Sequence, residues 1–140
     1  MCKGIKSEGL DFYRLLNQSE KFTSELGKVT LASGMLEAEL ILYLTRNQIV
    51  GNYRKATLGK LLRIADKNNL FSENEKICLE MILIQRNYIT HNLYALFADV
   101  IDETILEKNN LLDSDVHLYI NRAWQMAENI NGLADIIKNK

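Results

Sequence analysis

A chain of 140 residues with 47% apolar and 25% charged side chains has the composition of an ordinary globular domain, long enough to bury a core without disulfide or metal staples. Its net charge of −1 argues against the broad basic excess of a nonspecific nucleic-acid binder. Neither an apolar run of about eighteen residues for a membrane span nor a signal peptide in the closely mixed charged and apolar start is present, so residues 1–140 read as one cytoplasmic domain.

Proline is absent and helical periodicity dominates. A short helix over Leu10 to Leu16 precedes a turn at Asn17-Gln18-Ser19. A long helix then runs from Glu20 to Arg46, with Phe22, Leu26, Val29, Leu36, Leu40 and Tyr43 at helical steps. Gly27 and Gly34 interrupt it at about 1 kcal/mol each relative to alanine, and close packing of a neighbouring helix is their expected purpose. Asn47 to Ala56 reads as a loop turning at Gly51-Asn52. Thr57 caps a shorter helix, Leu58 to Lys67, with Leu58, Leu61, Leu62 and Ile64 inward.

Ser72 and Glu75 have the spacing of a capping box. They launch a helix expected from Glu73 to Leu96, with apolar positions Ile77, Cys78, Met81, Ile84, Tyr88 and Ile89. Cys78 is expected as a small buried hydrophobe. Cys2 falls in the terminus, and a disulfide between the two does not suit a reducing compartment. Residues 98–113 form an acidic connection with one helical turn around Ile101–Leu106. A last helix runs from Ser114 to Ile137 on Val116, Tyr119, Ile120, Ala123, Met126, Ile130 and Leu133. The fold class is therefore all-α, an antiparallel bundle of three long helices and one or two short ones. Charge is unevenly spread along it. Residues 52–86 hold seven Lys/Arg against four Asp/Glu, and residues 99–115 hold six Asp/Glu against one Lys.

The late part of the capping-box helix carries Arg86-Asn87-Tyr88-Ile89-Thr90-His91-Asn92. A guanidinium suits phosphate charge, an imidazole suits proton transfer near neutral pH, and an amide can orient either. Asn87 and His91 are four apart and share a face. Arg86 and His91 stand about 140° apart around the helix, within reach of a long side chain that wraps. The same residues admit a purely structural reading, an interhelical network pairing Arg86 with Glu37 or Glu39. His117, beside Asp113 and Asp115, reads as a surface residue pairing with a carboxylate. Metal-ligand spacings and a glycine-rich phosphate loop are absent, so no metal or cofactor is expected. Glu37 and Glu39 lie about 200° apart around their helix and cannot act as a carboxylate pair.

An arginine followed by a polar residue, then a histidine a few positions on, late in an all-helical domain of this length, resembles the HEPN superfamily (higher eukaryotes and prokaryotes nucleotide-binding). Arg86, Asn87 and His91 carry the resemblance, and the helix order extends it over roughly residues 19–138. It implies a metal-independent endoribonuclease of the toxin or phage-defence type, with RNA as substrate and a possible antitoxin protein as partner. It also implies a homodimer in which two motifs face each other across a cleft; the apolar crowd of Tyr88, Leu93, Tyr94, Leu96 and Phe97 around the motif separately predicts a dimer interface that includes its helix. Cleavage would use the 2′-hydroxyl of the RNA itself, with His91 moving protons, Arg86 holding phosphorane charge and Asn87 orienting. Other members of the family are non-catalytic modules that bind a nucleotide or a protein, and that reading stands beside the first.

Overall fold

The computed structural model describes residues 9–97 and 111–140, and contains no strand among them. Its helices are α1 (Leu10–Leu16), α2 (Glu20–Arg46), α3 (Leu58–Lys67), α4 (Glu73–His91), α5 (Leu93–Leu96) and α6 (His117–Lys138). A 3₁₀ turn at Asp113–Val116 leads into α6. The fold is an all-α helical bundle, with α2, α4 and α6 as its long members. Cys2 and the helical turn expected around Ile101–Leu106 lie outside the described residues. No helix among those described is long and apolar enough to cross a membrane.

Ser19 starts α2 by accepting the Phe22 N–H at 3.0 Å, and its hydroxyl donates to Asp113 Oδ1 at 2.7 Å. One buried serine thus caps α2 and fixes the turn ahead of α6. At the other end Arg46 donates to the Ile137 carbonyl at 3.0 Å. These two ties hold α2 and α6 side by side and running in the same direction. Val29, Leu36, Leu40 and Leu44 from α2 and Tyr119, Met126, Ile130 and Ile137 from α6 are buried between and around them. Each such side chain contributes about 1.5–3 kcal/mol by leaving water. α4 runs against both: Glu75 meets Lys140 where α6 ends, and Arg86 meets Glu37 partway back along α2.

The capping box forms as its spacing requires. The Glu75 N–H donates to Ser72 Oγ at 3.2 Å, and the Ser72 N–H donates to Glu75 Oε1 at 2.9 Å. The helix it starts is shorter than expected. Asn92, at φ −156° and ψ 70°, leaves the helical region directly after His91, and its side chain accepts the Ala95 N–H at 3.2 Å to start α5. α5 folds back, so that Leu93, Tyr94 and Phe97 are buried and Leu96 is half-buried. The Phe97 and Tyr119 rings meet edge to face at 5.1 Å, and Phe12 packs within 5.5 Å of Tyr94. The apolar residues after the motif, expected at a dimer interface, therefore belong to the core. Of that group only Tyr88 is exposed.

A second correction concerns α4 itself. Its inner face is Leu79 and Ile82, supported by half-buried Leu83 and Ile89, while Ile77, Met81, Ile84 and Tyr88 are all exposed on the opposite side. Cys78 is exposed too, at the mouth of the α4–α6 groove beside Ile136. It stands about 100° from Leu79 around the helix, which removes it from the buried face.

Gly27 and Gly34 likewise depart from expectation. Both are exposed, and a Cβ built on either meets no atom within 4 Å, so neither permits close helix packing. Gly27→Ala should therefore raise stability by about 0.5–1 kcal/mol, the intrinsic helix preference uncompensated by any clash. Urea denaturation measures it; an unchanged or lower midpoint would contradict the open surroundings.

Glu75 gives a pH dependence. Burial pushes its carboxyl up, but hydrogen bonds from Lys140 and Ser72 outweigh this and hold it below the ordinary carboxylate value. A carboxyl depressed in the folded state stabilises above its unfolded pKa, and that stability is lost as pH falls through the lower folded value. Glu75→Gln should lower the melting temperature at neutral pH, with the difference from wild type closing in acid. A difference that persists unchanged to low pH would refute the assignment.

Candidate functional site

The last turns of α4 carry the three residues singled out by sequence, and His91 is the final helical residue. Taken round the helix from Arg86, Thr90 follows at about 40°, Asn87 at about 100° and His91 at about 140°. They form a polar arc from the face packed on α2 to the exposed face, bounded on either side by apolar residues.

At one end of the arc Arg86 lies in a groove against α2 with Thr30, Ser33, Gly34, Glu37 and Thr90. One guanidinium nitrogen stands 3.4 Å from Glu37 Oε1, and both side chains are partly exposed. Thr30, Ser33 and Thr90 donate their hydroxyl protons to the Leu26, Val29 and Arg86 carbonyls at 3.3, 3.0 and 3.0 Å. Each hydroxyl proton is thereby committed to its own helix. The Arg86–Glu37 pair is the interhelical contact that the sequence admitted as the structural reading. A single long contact of this kind, half open to water, contributes about 0–1 kcal/mol.

At the other end Asn87 and His91 share an open hollow with Ile84, Tyr88 and Asn92. Both side chains are exposed, and neither makes a hydrogen bond among the described residues. The structure thus brings Asn87 and His91 together and holds Arg86 next door with Glu37, the two hollows separated by the width of Thr90. An imidazole open to solvent can take or give a proton, and only one nitrogen of the neighbouring guanidinium is engaged with Glu37, leaving its other N–H donors for a phosphate.

Three features were missed by sequence. The α2 wall of the Arg86 groove includes Thr30 and Ser33, which no local pattern links to α4. The stripe of Ile77, Met81, Ile84 and Tyr88 is visible in the sequence as apolar spacing, but its exposure is not. His117 places its Nδ1 3.1 Å from the Ser114 carbonyl, so its partner is backbone rather than the expected carboxylate. No group of three or more His, Cys, Asp or Glu among the described residues is placed to hold a metal ion.

Compared with protein-family models, with curated proteins and with solved structures, the chain matches none. The resemblance to HEPN domains therefore stands on the residues of α4 and the order of the helices alone.

Glu37→Gln isolates the Arg86 contact. It should lower stability by less than about 1 kcal/mol, as expected for a partly exposed ion pair. Thermal denaturation is the check, and a loss of several kcal/mol would make the pair a structural keystone.

Proposed function

We propose that this protein is a metal-independent endoribonuclease of the HEPN type, acting as a cytoplasmic toxin or phage-defence effector and working as a homodimer joined through the outer face of α4. The observation that carries the reading is the exposed stripe Ile77, Met81, Ile84 and Tyr88, which repeats at steps of four, three and four and continues three residues on to His91. That is the spacing with which two helices seat against each other. It is apolar surface a lone bundle has no use for. A two-fold axis near Tyr88 would set two Asn87–His91 pairs across one cleft, each with its Arg86 at the rim.

In such a cleft one His91 removes the proton from the ribose 2′-hydroxyl, whose oxygen attacks the adjacent phosphorus. The other His91 gives a proton to the departing 5′-oxygen. Arg86 leaves Glu37 for the non-bridging phosphate oxygens, an exchange of a weak contact for a doubly held charged one. The products are a 2′,3′-cyclic phosphate and a free 5′-hydroxyl. The nucleophile is already part of the substrate, which supplies proximity without a metal.

The Arg86–Glu37 pair favours a second reading, in which the arginine is a strut and the domain is a non-catalytic module binding a nucleotide or a protein such as an antitoxin. Cleavage of mixed RNA in excess chelator separates the two. His91→Ala should lose about 10²–10⁴ in rate and Arg86→Ala about 10²–10³, both with melting temperatures near wild type. Met81→Asp with Ile84→Asp should give a monomer by light scattering and abolish cleavage. Activity that requires magnesium, or that survives His91→Ala, would leave the binding-module reading.

A further inference from the structure

Outside the motif, unpaired positive charge gathers at one place. Arg54, Lys55, Lys60, Arg63 and Lys67 are all exposed, and none makes an ion pair among the described residues. Asp66 is the only acidic residue between positions 52 and 67; Lys76 pairs with it at 2.7 Å and with Glu73 at 3.3 Å, and Glu80 is the one other carboxylate lining the groove beside Arg63. Lys60, Arg63 and Lys67 follow at steps of three and four, so they stand on one face of α3. Arg54 and Lys55 extend that charge into the loop ahead of the helix. In a chain of net charge −1 this is a strong local asymmetry, and a local field rather than the total is what a polyanion meets.

The position of this face matters as much as its sign. α3 lies antiparallel along the first half of α4, from the Asp66–Lys76 pair at one end to Gly59 beside Leu83 at the other. It covers the side of α4 that carries Lys76, Leu79 and Leu83, and it stops there. Thr90 and Asn87 continue that same side into the second half of α4, uncovered. From Leu83 to Asn87 is about 6 Å along the helix, and to His91 about 12 Å. The basic face therefore runs out onto the polar arc of Arg86, Thr90, Asn87 and His91.

Resting on the ribonuclease reading, we infer that the exposed face of α3 with its preceding loop is a phosphate track for single-stranded RNA, leading the strand onto the Asn87–His91 hollow. Lys60, Arg63 and Lys67 span about 10 Å, room for two or three successive phosphates. The track reads charge and not bases, so the strand it takes is of mixed sequence.

The test uses a short fluorescein-labelled 2′-O-methyl oligoribonucleotide of mixed sequence, which keeps the phosphates and cannot be cleaved through the 2′-oxygen. Binding is followed by anisotropy from low to physiological salt. Lys60→Gln, Arg63→Gln and Lys67→Gln together should weaken binding and lower the slope of log K against log salt by about 2, at about 0.7 for each phosphate contact on a single strand. A control with Lys21→Gln and Lys138→Gln, two exposed cations elsewhere, should keep the wild-type slope. Arg54→Gln with Lys55→Gln repeats the test in the loop should α3 itself be disturbed.

An unchanged slope in both basic variants, an equal loss in the control, or no binding by wild type at low salt overturns the inference. Any of these would leave the stripe to an acidic protein partner. Failure of the ribonuclease reading shows differently: the basic variants lose slope, yet no RNA is cut by the wild type. His91-dependent cleavage with KM unaltered in the basic variants sinks the track alone.

Discussion

At Asn92 the backbone leaves the helix for a single residue, and its amide oxygen immediately starts another by taking the Ala95 N–H. The direction change sends Leu93, Tyr94 and Phe97 into the cluster of Phe12, Phe22 and Tyr119 that closes this end of the bundle. The turn brings Phe97 against Phe22 and Tyr119, and Tyr94 against Phe12. The same break makes His91 the end of its helix and opens the hollow it shares with Asn87. Closure of the core and exposure of the histidine come from one residue's dihedral angles.

α4 is apolar on two opposite faces, and this shapes everything proposed about it. The inner face, Leu79 and Ile82, is narrow, and the helix is held at its ends by charge: Glu75 with Lys140 and Arg86 with Glu37. The outer face of Ile77, Met81, Ile84 and Tyr88 is about half exposed, with Met81 lining the groove shared with α6. A helix held this lightly on one side and unmatched on the other suits an element that completes its packing in an assembly. It also puts Arg86 on the face turned to α2 and His91 toward the exposed one.

How much of this could be read from sequence depended on how many faces each helix has. α2, α3 and α6 bury one stripe each, and their periodic residues are the buried or half-buried ones. α4 carries apolar residues on two faces, and spacing alone does not say which of them packs on the bundle. The capping box at Ser72 was legible because its chemistry is local. The stop at Asn92 was hidden because Leu93 to Phe97 remain apolar at helical spacing, and only the demand of a distant aromatic cluster turns them. Gly27 and Gly34 were given a packing role that their open surroundings deny. For the candidate site, the shared face of Asn87 and His91 followed from their spacing, whereas the Glu37 contact was one of two partners that sequence could not separate.

That α2 and α6 run the same way has an electrostatic consequence. Their peptide dipoles are aligned side by side, and each helix presents roughly half a negative charge at its carboxyl end. Placing two such ends together is unfavourable unless cations or donors answer them. Arg46, in the last turn of α2, crosses to the Ile137 carbonyl of α6, and Lys138 occupies the last turn of α6. α4 begins at this same end with Glu73 and Glu75 in its first turn, and Lys140 bridges from beyond α6 to Glu75. The end of the molecule remote from His91 is thus a compensated electrostatic cap, in which two helix termini of one sign are offset by a third of the other and by the cations between them.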